Sequence, residues 1–360
     1  MSSVYRKRLQ AIRERLRAEA LDAMMIQSPI NRRYMSGFTG SAGTLVISQH
    51  DAWLLVDFRY VEQAKAQVDG IRVERVDKPL EDLGRLLSDH QLSRVAFEAG
   101  HLTVHEHQRL TEMIDQVTWE PRVDWIETLR GVKDGEELAA IQKAVAVADA
   151  AFKHILDFLR PGVTEREIAL ELEFFMRRAG AESLAFPSIV ASGPNGALPH
   201  AVPTDRRITN GDLVTLDFGC VVDGYCSDIT RTVAIGEPDE KSRDLYQLVL
   251  RAQLAAIEAI RPGMEAREVD RIARDIIREA GYGEYFGHGL GHGLGMNVHE
   301  EIPRLSPRGE VVLQPGMVCS VEPGVYIPGW GGIRIEDLVV VTETGCRILT
   351  ESSKAWMTLG

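Results

Sequence analysis

The chain has 360 residues, enough for two or three domains with a sizeable core and no need of disulfide staples. Hydrophobic residues make up 44% and charged residues 26%, a balance that excludes collagen-like, coiled-coil and disordered classes. The formal net charge of −12 repels phosphate backbones and anionic lipid, so neither nucleic acid nor a membrane is an expected partner.

The first 26 residues are charged throughout and carry no apolar signal core, and no later stretch approaches ~18 uninterrupted apolar residues. A cytoplasmic protein is expected. Cys220, Cys226, Cys319 and Cys346 form no C-x-x-C pair and are expected as thiols. Leu9, Ile12, Leu16 and Ala20 recur at helical spacing and predict a surface helix. Strands are predicted at Thr44–Ser48, Trp53–Val56 and Arg94–Phe97, with a helix over Tyr60–Val68, an α/β pattern. The periodicity breaks across Pro121–Gly135, which separates a first domain, 1–125, from a second, 126–360.

From Glu136 the apolar residues Leu138, Ile141, Val145, Ala148, Phe152, Ile155 and Leu159 predict a long amphipathic helix stopped by Arg160-Pro161-Gly162. An internal repeat follows. Residues 160–180 align without gaps on 261–281 with eight of 21 positions identical, including the Arg-Pro-Gly opening and the Ala-Gly close. The second domain therefore reads as two related α+β halves, with the space between them a natural place for a ligand.

Asp217 and Asp228 flank Asp223-Gly224, a dipeptide that favours a two-residue hairpin turn. With that turn Asp217 faces Thr230, and Asp228 lies two residues away on the same sheet face. Two neighbouring acids on a buried strand pair repel unless a cation or proton lies between them, which points to a metal. Glu322 and Glu336 flank the predicted loop Pro328–Gly332 at an even separation, so both can point to one face, while Asp337 points to the other as a structural or solvated acid. Between these pairs lies GHGLGHGLGMNVHE with His288, His292 and His299, its glycines allowing backbone to come close to a ligand. No Gly-Lys-Ser/Thr follows, which argues against a phosphate loop. His200, in a Gly/Pro loop, is the fourth candidate histidine. His50, His90, His101, His105, His107 and His154 have no acidic company and read as bystanders. Four carboxylates with imidazole suit two divalent ions such as Mn²⁺, Co²⁺ or Zn²⁺ that share and acidify a water, which is metal-assisted hydrolysis.

The ordered set Asp217, Asp228, His292, Glu322 and Glu336 resembles the ligands of dinuclear metallopeptidases with the pita-bread fold. GHGLGHGLGMNVHE, LQPGMVCSVEPGVY and GGIRIED resemble the Xaa-Pro peptidase branch, aminopeptidase P and prolidase, and NRRYMSGFTGSAGTLVI and WLLVDFRYVEQA resemble its creatinase-like N-terminal domain. The resemblance implies an α/β creatinase-like domain followed by an α+β pita-bread domain with a pseudo-two-fold repeat. It further implies two divalent ions, Mn²⁺ first among them, peptide substrates with proline second, and a homodimer. Glu322 would also serve as general base. His200 and His299 would contact the substrate carbonyl or oxyanion, His288 would line the pocket, and Tyr326 and Arg334 would support the carboxylates. Arg304 and Arg308 match positions that in some prolidases hold a dipeptide's carboxylate. Methionine aminopeptidase shares the ligands but usually lacks the N-terminal domain, creatinase keeps the fold without metals, and a non-catalytic binding module would have broken ligands.

Overall fold

The structure is a computed structural model and describes residues 3–360. The chain folds as two compact units that divide between Arg130 and Gly131.

The first unit is built on a six-stranded sheet. Its strands are β1 (Ala23–Ile26), β2 (Thr44–Ser48), β3 (Ala52–Val56), β4 (Arg72–Arg75), β5 (Arg94–Glu98) and β6 (Thr118–Arg122), ordered β4-β3-β2-β1-β5-β6. The central pairs β1/β2 and β2/β3 are antiparallel, and the outer pairs β3/β4, β1/β5 and β5/β6 are parallel. Leu83, Leu87 and Leu110 from helices Pro79–Asp89 and Val104–Met113 cover Trp53, Val95 and Phe97 on one face. The opening helix runs Ser3–Ala18 and buries Leu9, Ile12 and Leu16. Ala20 is exposed beyond its end at φ 52°, so it closes the helix and does not extend the apolar stripe.

In the second unit Asp134 caps the helix Gly135–Ile155, accepting the amides of Glu136 and Glu137 at 2.9 and 3.0 Å. This helix ends at Ile155, ahead of the predicted stop, and Leu159 remains buried in the turn that follows. The repeat is visible in three dimensions. Helices Glu165–Arg178 and Ala266–Glu279 follow turns with Gly162 and Gly263 at φ 94° and 84° and run into Gly180 and Gly281 at φ 103° and 87°. The Gly162 and Gly263 amides donate to the carbonyls of Ile208 and Leu313 at 2.8 and 2.9 Å.

The strands of this unit are β7 (Ser183–Leu184), β8 (Ile189–Ser192), β9 (Leu213–Phe218), β10 (Cys220–Val222), β11 (Tyr225–Cys226), β12 (Ile229–Ile235), β13 (Gly291–Gly293), β14 (Glu300–Leu305), β15 (Val318–Val321), β16 (Gly324–Ile327), β17 (Gly331–Arg334), β18 (Asp337–Val341), β19 (Cys346–Ile348) and β20 (Thr358–Leu359). They form sheets β20-β12-β9-β8 and β14-β13-β15-β18-β19, with the smaller β11-β10-β7 and β16-β17 beside them. Each half has its own core. Phe152, Ile168, Leu172 and Met176 pack on Val190, Val214, Leu216 and Val233, and Val249, Val269, Ala273 and Ile277 pack on Cys319, Val321, Ile335 and Val339. Two helices on a sheet, made twice, leave the other sheet faces free to carry polar side chains. Among the described residues no helix is long and apolar enough to cross a membrane.

Candidate metal centre

Two hairpins supply the acidic side chains. Asp223 and Gly224 take φ of 52° and 80°, the doubly left-handed turn that this dipeptide favours, and Val222 then opposes Tyr225 while Asp217 opposes Thr230. In the second hairpin Val321 opposes Asp337 and Gly324 opposes Arg334, which places Glu322 and Glu336 across from one another where the ladder passes from β15/β18 to β16/β17. Asp228, Glu322 and Glu336 all lie just outside regular strands. The second turn is Pro328-Gly329-Trp330, shorter than the expected Pro328–Gly332. Gly331 and Gly332 belong to β17, opposite Ile327 and Tyr326, because a side chain on Gly332 would strike the Gly196 carbonyl.

Asp217, Asp228, His292, Glu322 and Glu336 converge at the floor of a cavity of about 580 Å³. One donor atom each from Asp228, His292 and Glu336 lie within 4.8 Å of one another. His292 Nε2 is 3.2 Å from Glu322 Oε1 and 3.6 Å from Asp228 Oδ2. Its Nδ1 lies 3.0 Å from the Gly293 carbonyl, which takes the Nδ1 proton and leaves Nε2 as the nitrogen that faces the carboxylates. Asp217 Oδ1, Asp228 Oδ1 and Glu336 Oε1 are buried without a hydrogen-bond partner. Three orphaned carboxylate oxygens beside the His292 Nε2 form the oxygen-rich, nitrogen-containing donor set that divalent cations accept, so these residues fit a metal centre.

The other oxygens of these acids are committed. Arg334 Nη2 donates to Asp217 Oδ2 at 2.6 Å and its Nε to Thr230 Oγ1 at 3.1 Å, while that hydroxyl donates to Glu336 Oε2 at 2.7 Å. Arg334 Nη1 donates to the Tyr326 hydroxyl at 2.9 Å, which in turn lies 2.8 Å from His288 Nε2; His288 Nδ1 is 2.7 Å from the Gly289 carbonyl. With the Gly289 carbonyl taking the Nδ1 proton and burial favouring neutral His288, the proton order along this chain runs from Arg334 to Tyr326 to His288. Ser320 Oγ accepts the His292 amide and donates to Glu322 Oε1, both at 3.0 Å.

Burial pushes the Asp228 and Glu336 carboxyls well above their ordinary range, and the neighbouring acids add to it. Asp217 is also raised by burial, against the pull of Arg334. Glu322 runs the other way. Burial would raise it, but the hydrogen bond and charge of His292 outweigh that and hold it low, and Glu322 in turn lifts His292 to about 9 against burial. Burial lowers His288 and His299 and raises Tyr326 to about 12.

The cavity wall also carries His200, His288, His299, Tyr326, Arg334 and Arg304. Arg308 is exposed and is not part of that wall. In the histidine loop a side chain on Gly291 would strike the Ser320 carbonyl and one on Gly293 the Ile302 carbonyl, so these two residues let strands approach each other, while Gly289 and Gly291 also line the cavity. Among the bystanders, His90 packs on Trp53, His107 on Phe97 and His154 on Phe175 with its Nε2 2.7 Å from Glu171. All four cysteines are free, and burial pushes the Cys220 and Cys319 thiols up to about 11 and 12. Asp337 is fully buried and bound by Arg231 and Lys354, so it is structural.

The sequence places Thr230 opposite Asp217 but gives it no role, and it does not single out Ser320 or the pair Asp270 and Arg274. Arg274 binds Asp270 through two bonds of 2.8 Å and donates to the carbonyls of Phe286 and His288, while Asp270 accepts the Leu290 amide, so the pair grips the backbone on both sides of His288. The signal for Thr230 is parity, as the cross-strand partner of Asp217 on the face that carries the acids. Thr230→Val removes the hydroxyl that orients Glu336, and kcat/KM is expected to fall by ~10–100-fold with weaker metal retention. Steady-state kinetics with metal analysis of the dialysed variant checks this; unchanged values for both would show that Glu336 needs no such partner.

Residues 139–343 match metallopeptidase family M24, and residues 8–132 match the creatinase/prolidase N-terminal domain. The chain belongs to this metallopeptidase family. Its fold is accordingly a creatinase-type N-terminal domain followed by a pita-bread domain, and it is a peptidase. A Pyrococcus furiosus protein named Xaa-Pro dipeptidase is 39% identical over 97% of this chain and 99% of its own. The solved structure of an Xaa-Pro dipeptidase from Bacillus anthracis matches with a TM-score of 0.96 at 44% identity, covering 99% of this chain and all of that one. That of an X-Pro aminopeptidase from Thermotoga maritima matches with a TM-score of 0.90 at 37% identity, covering 97% and 100%. Divalent metal is what the family implies for this metallopeptidase, and Asp228, His292 and Glu336 are its candidate site.

Proposed function

We propose that this metallopeptidase is an Xaa-Pro dipeptidase whose site holds two divalent ions, Mn²⁺ first among them, on Asp217, Asp228, His292, Glu322 and Glu336. The observation that carries the reading is the set of partnerless buried oxygens of Asp217, Asp228 and Glu336 facing the cavity beside His292. When bound, the ions supply an acidified water and an electrophile for the scissile carbonyl. Glu322, held ionised, takes the proton of the attacking water and delivers it to the departing proline nitrogen. His200 and His299 donate to the carbonyl oxygen as it gains charge. His288, Tyr326 and Arg334 keep Asp217 in place through the chain of bonds described above. Phe186, Pro187 and Ile189 give the cavity an apolar wall suited to a pyrrolidine ring, which has no N–H to satisfy. Arg304, on the same wall, offers a cation for a dipeptide's carboxylate.

The likeness to an X-Pro aminopeptidase favours a second reading, in which longer chains beginning with Xaa-Pro enter. The discriminating assay strips the protein with chelator, restores it with Mn²⁺, Co²⁺ or Zn²⁺ separately, and compares Ala-Pro, Ala-Pro-Ala and Met-Ala-Ser. Hydrolysis of Ala-Pro alone is the expected result. Cleavage of Ala-Pro-Ala would make the protein an aminopeptidase P, cleavage of Met-Ala-Ser alone would place it with the methionine aminopeptidases, and no metal-dependent hydrolysis would leave a binding module. Homodimer assembly and residence in the cytoplasm belong to the same reading, the former checked by light scattering.

A further inference from the structure

His200 lies on an exposed loop between β8 and β9, where Leu198 and Val202 are 59% and 78% exposed. Ala201 is buried in a small cluster with Ile189 and Ala191, but the larger apolar side chains lie in solvent, so little core holds the loop, yet a histidine that meets substrate needs a defined place. Most of the polar hold comes from Glu165. This carboxylate is fully buried at the start of the first repeat helix. It accepts the Ser192 amide and hydroxyl, both at 2.7 Å, at one end of the loop, and the Thr204 amide and hydroxyl at 3.0 and 2.6 Å at the other. Asn195 Nδ2 adds a bond of 3.0 Å. One side chain thus closes residues 193–203 into a ring, and Arg334 Nη1 holds its middle through the Pro199 carbonyl at 3.3 Å.

The internal repeat separates what the fold needs from what the site needs. Both repeat helices share the glycine turns and the amide bonds from Gly162 and Gly263, but the residue that corresponds to Glu165 in the second half is Ala266. The helix-and-turn unit therefore forms without this carboxylate. Asp270, which grips the His288 segment, likewise corresponds to Ala169 in the first half. Each half has gained a buried acid where its own histidine-bearing loop must be held.

We propose that Glu165 is a positioning residue that sets the place of His200 over the candidate metal centre. The proposal rests on the reading that His200 contacts substrate. A double-mutant cycle on the full-length, Mn²⁺-restored enzyme with Ala-Pro tests it. Glu165→Gln keeps the shape but turns an amide NH₂ toward N–H and O–H donors. It is expected to lower kcat/KM by about ten- to a hundredfold in the parent and by less than about threefold in a His200→Ala background, with metal content unchanged. Thr204→Val, which removes one hydroxyl donor at an exposed position, is expected to show the same pattern with a smaller loss and decides the matter if Glu165→Gln does not fold. Equal losses in both backgrounds would make Glu165 a general structural residue and overturn the proposal. No loss from Glu165→Gln alongside an impaired His200→Ala would overturn it while leaving the proposed function standing. An unimpaired His200→Ala would remove the role of His200 itself, and this proposal with it.

Discussion

Asp228→Ala and Glu336→Ala are each expected to reduce peptide hydrolysis by roughly 10³-fold or more and to abolish tight metal retention while the chain stays folded. Loss of an outer partner of a metal ligand already costs ~10–100-fold, and these residues offer the orphaned oxygens themselves. Folding is expected to respond in the opposite direction. Both carboxyls lie well above their ordinary range in the folded state because burial and the neighbouring acids disfavour the charged form. A carboxyl whose folded value is raised binds protons more readily in the fold, so above its unfolded value it opposes folding, increasingly until the folded value is passed. In the presence of chelator at neutral pH, Glu336→Gln should therefore melt at a higher temperature than the parent. Activity, metal content and chelator melts of the same preparations check all three statements. A metal-poor, folded variant with full activity would sink the mechanism, and a lower chelator melting temperature for Glu336→Gln would sink the electrostatic account.

The second large effect concerns stability. Asp337 points away from Glu336 into the protein, where it accepts Arg231 Nη2 at 2.7 Å, Gln253 Nε2 at 2.9 Å and Thr350 Oγ1 at 2.6 Å and pairs with Lys354. Arg231 also donates to the Glu336 carbonyl and to the Ser352 carbonyl. Asp337→Ala strands a buried guanidinium and is expected to cost ~3–5 kcal/mol in denaturant unfolding. Burial raises this carboxyl, but Arg231 and Lys354 outweigh it and hold the net value below the ordinary one. The contribution is therefore present at pH 7 and fades as acid carries the solution below the ordinary carboxylate range through the folded value. The gap between parent and variant should narrow there, and a gap below about 1 kcal/mol at neutral pH would show that the cluster is dispensable.

What could be read in advance follows from how local each signal is. The register that sets Asp217 against Thr230 is carried by one Asp-Gly turn and a two-residue period, and it holds in the structure. The repeat was legible because its turns need glycine at positive φ in both copies. The second hairpin's turn is two residues shorter than the sequence suggests, because two successive glycines normally signal a loop whereas Gly331 and Gly332 are strand residues that make room for Gly193 and Gly196. Strand β1, Ala-Met-Met-Ile, is buried on both faces and shows no alternation, so nothing marked it as a strand. The partners of Asp337 lie up to 106 residues away, and no spacing rule reaches that far. The same holds for Glu165, whose contacts join a helix start to both ends of a distant loop.

Under the proposed function, Asp217, Asp228, His292, Glu322 and Glu336 would hold two divalent ions, and the water those ions would acidify serves hydrolysis of the bond before proline. The most direct test is to titrate Mn²⁺ into chelator-stripped protein while following Ala-Pro hydrolysis and measuring bound metal by mass spectrometry. The account predicts no activity in the stripped protein and full activity only as bound metal approaches two ions per chain. Full hydrolysis in the stripped protein, or two bound ions with no hydrolysis, would contradict it.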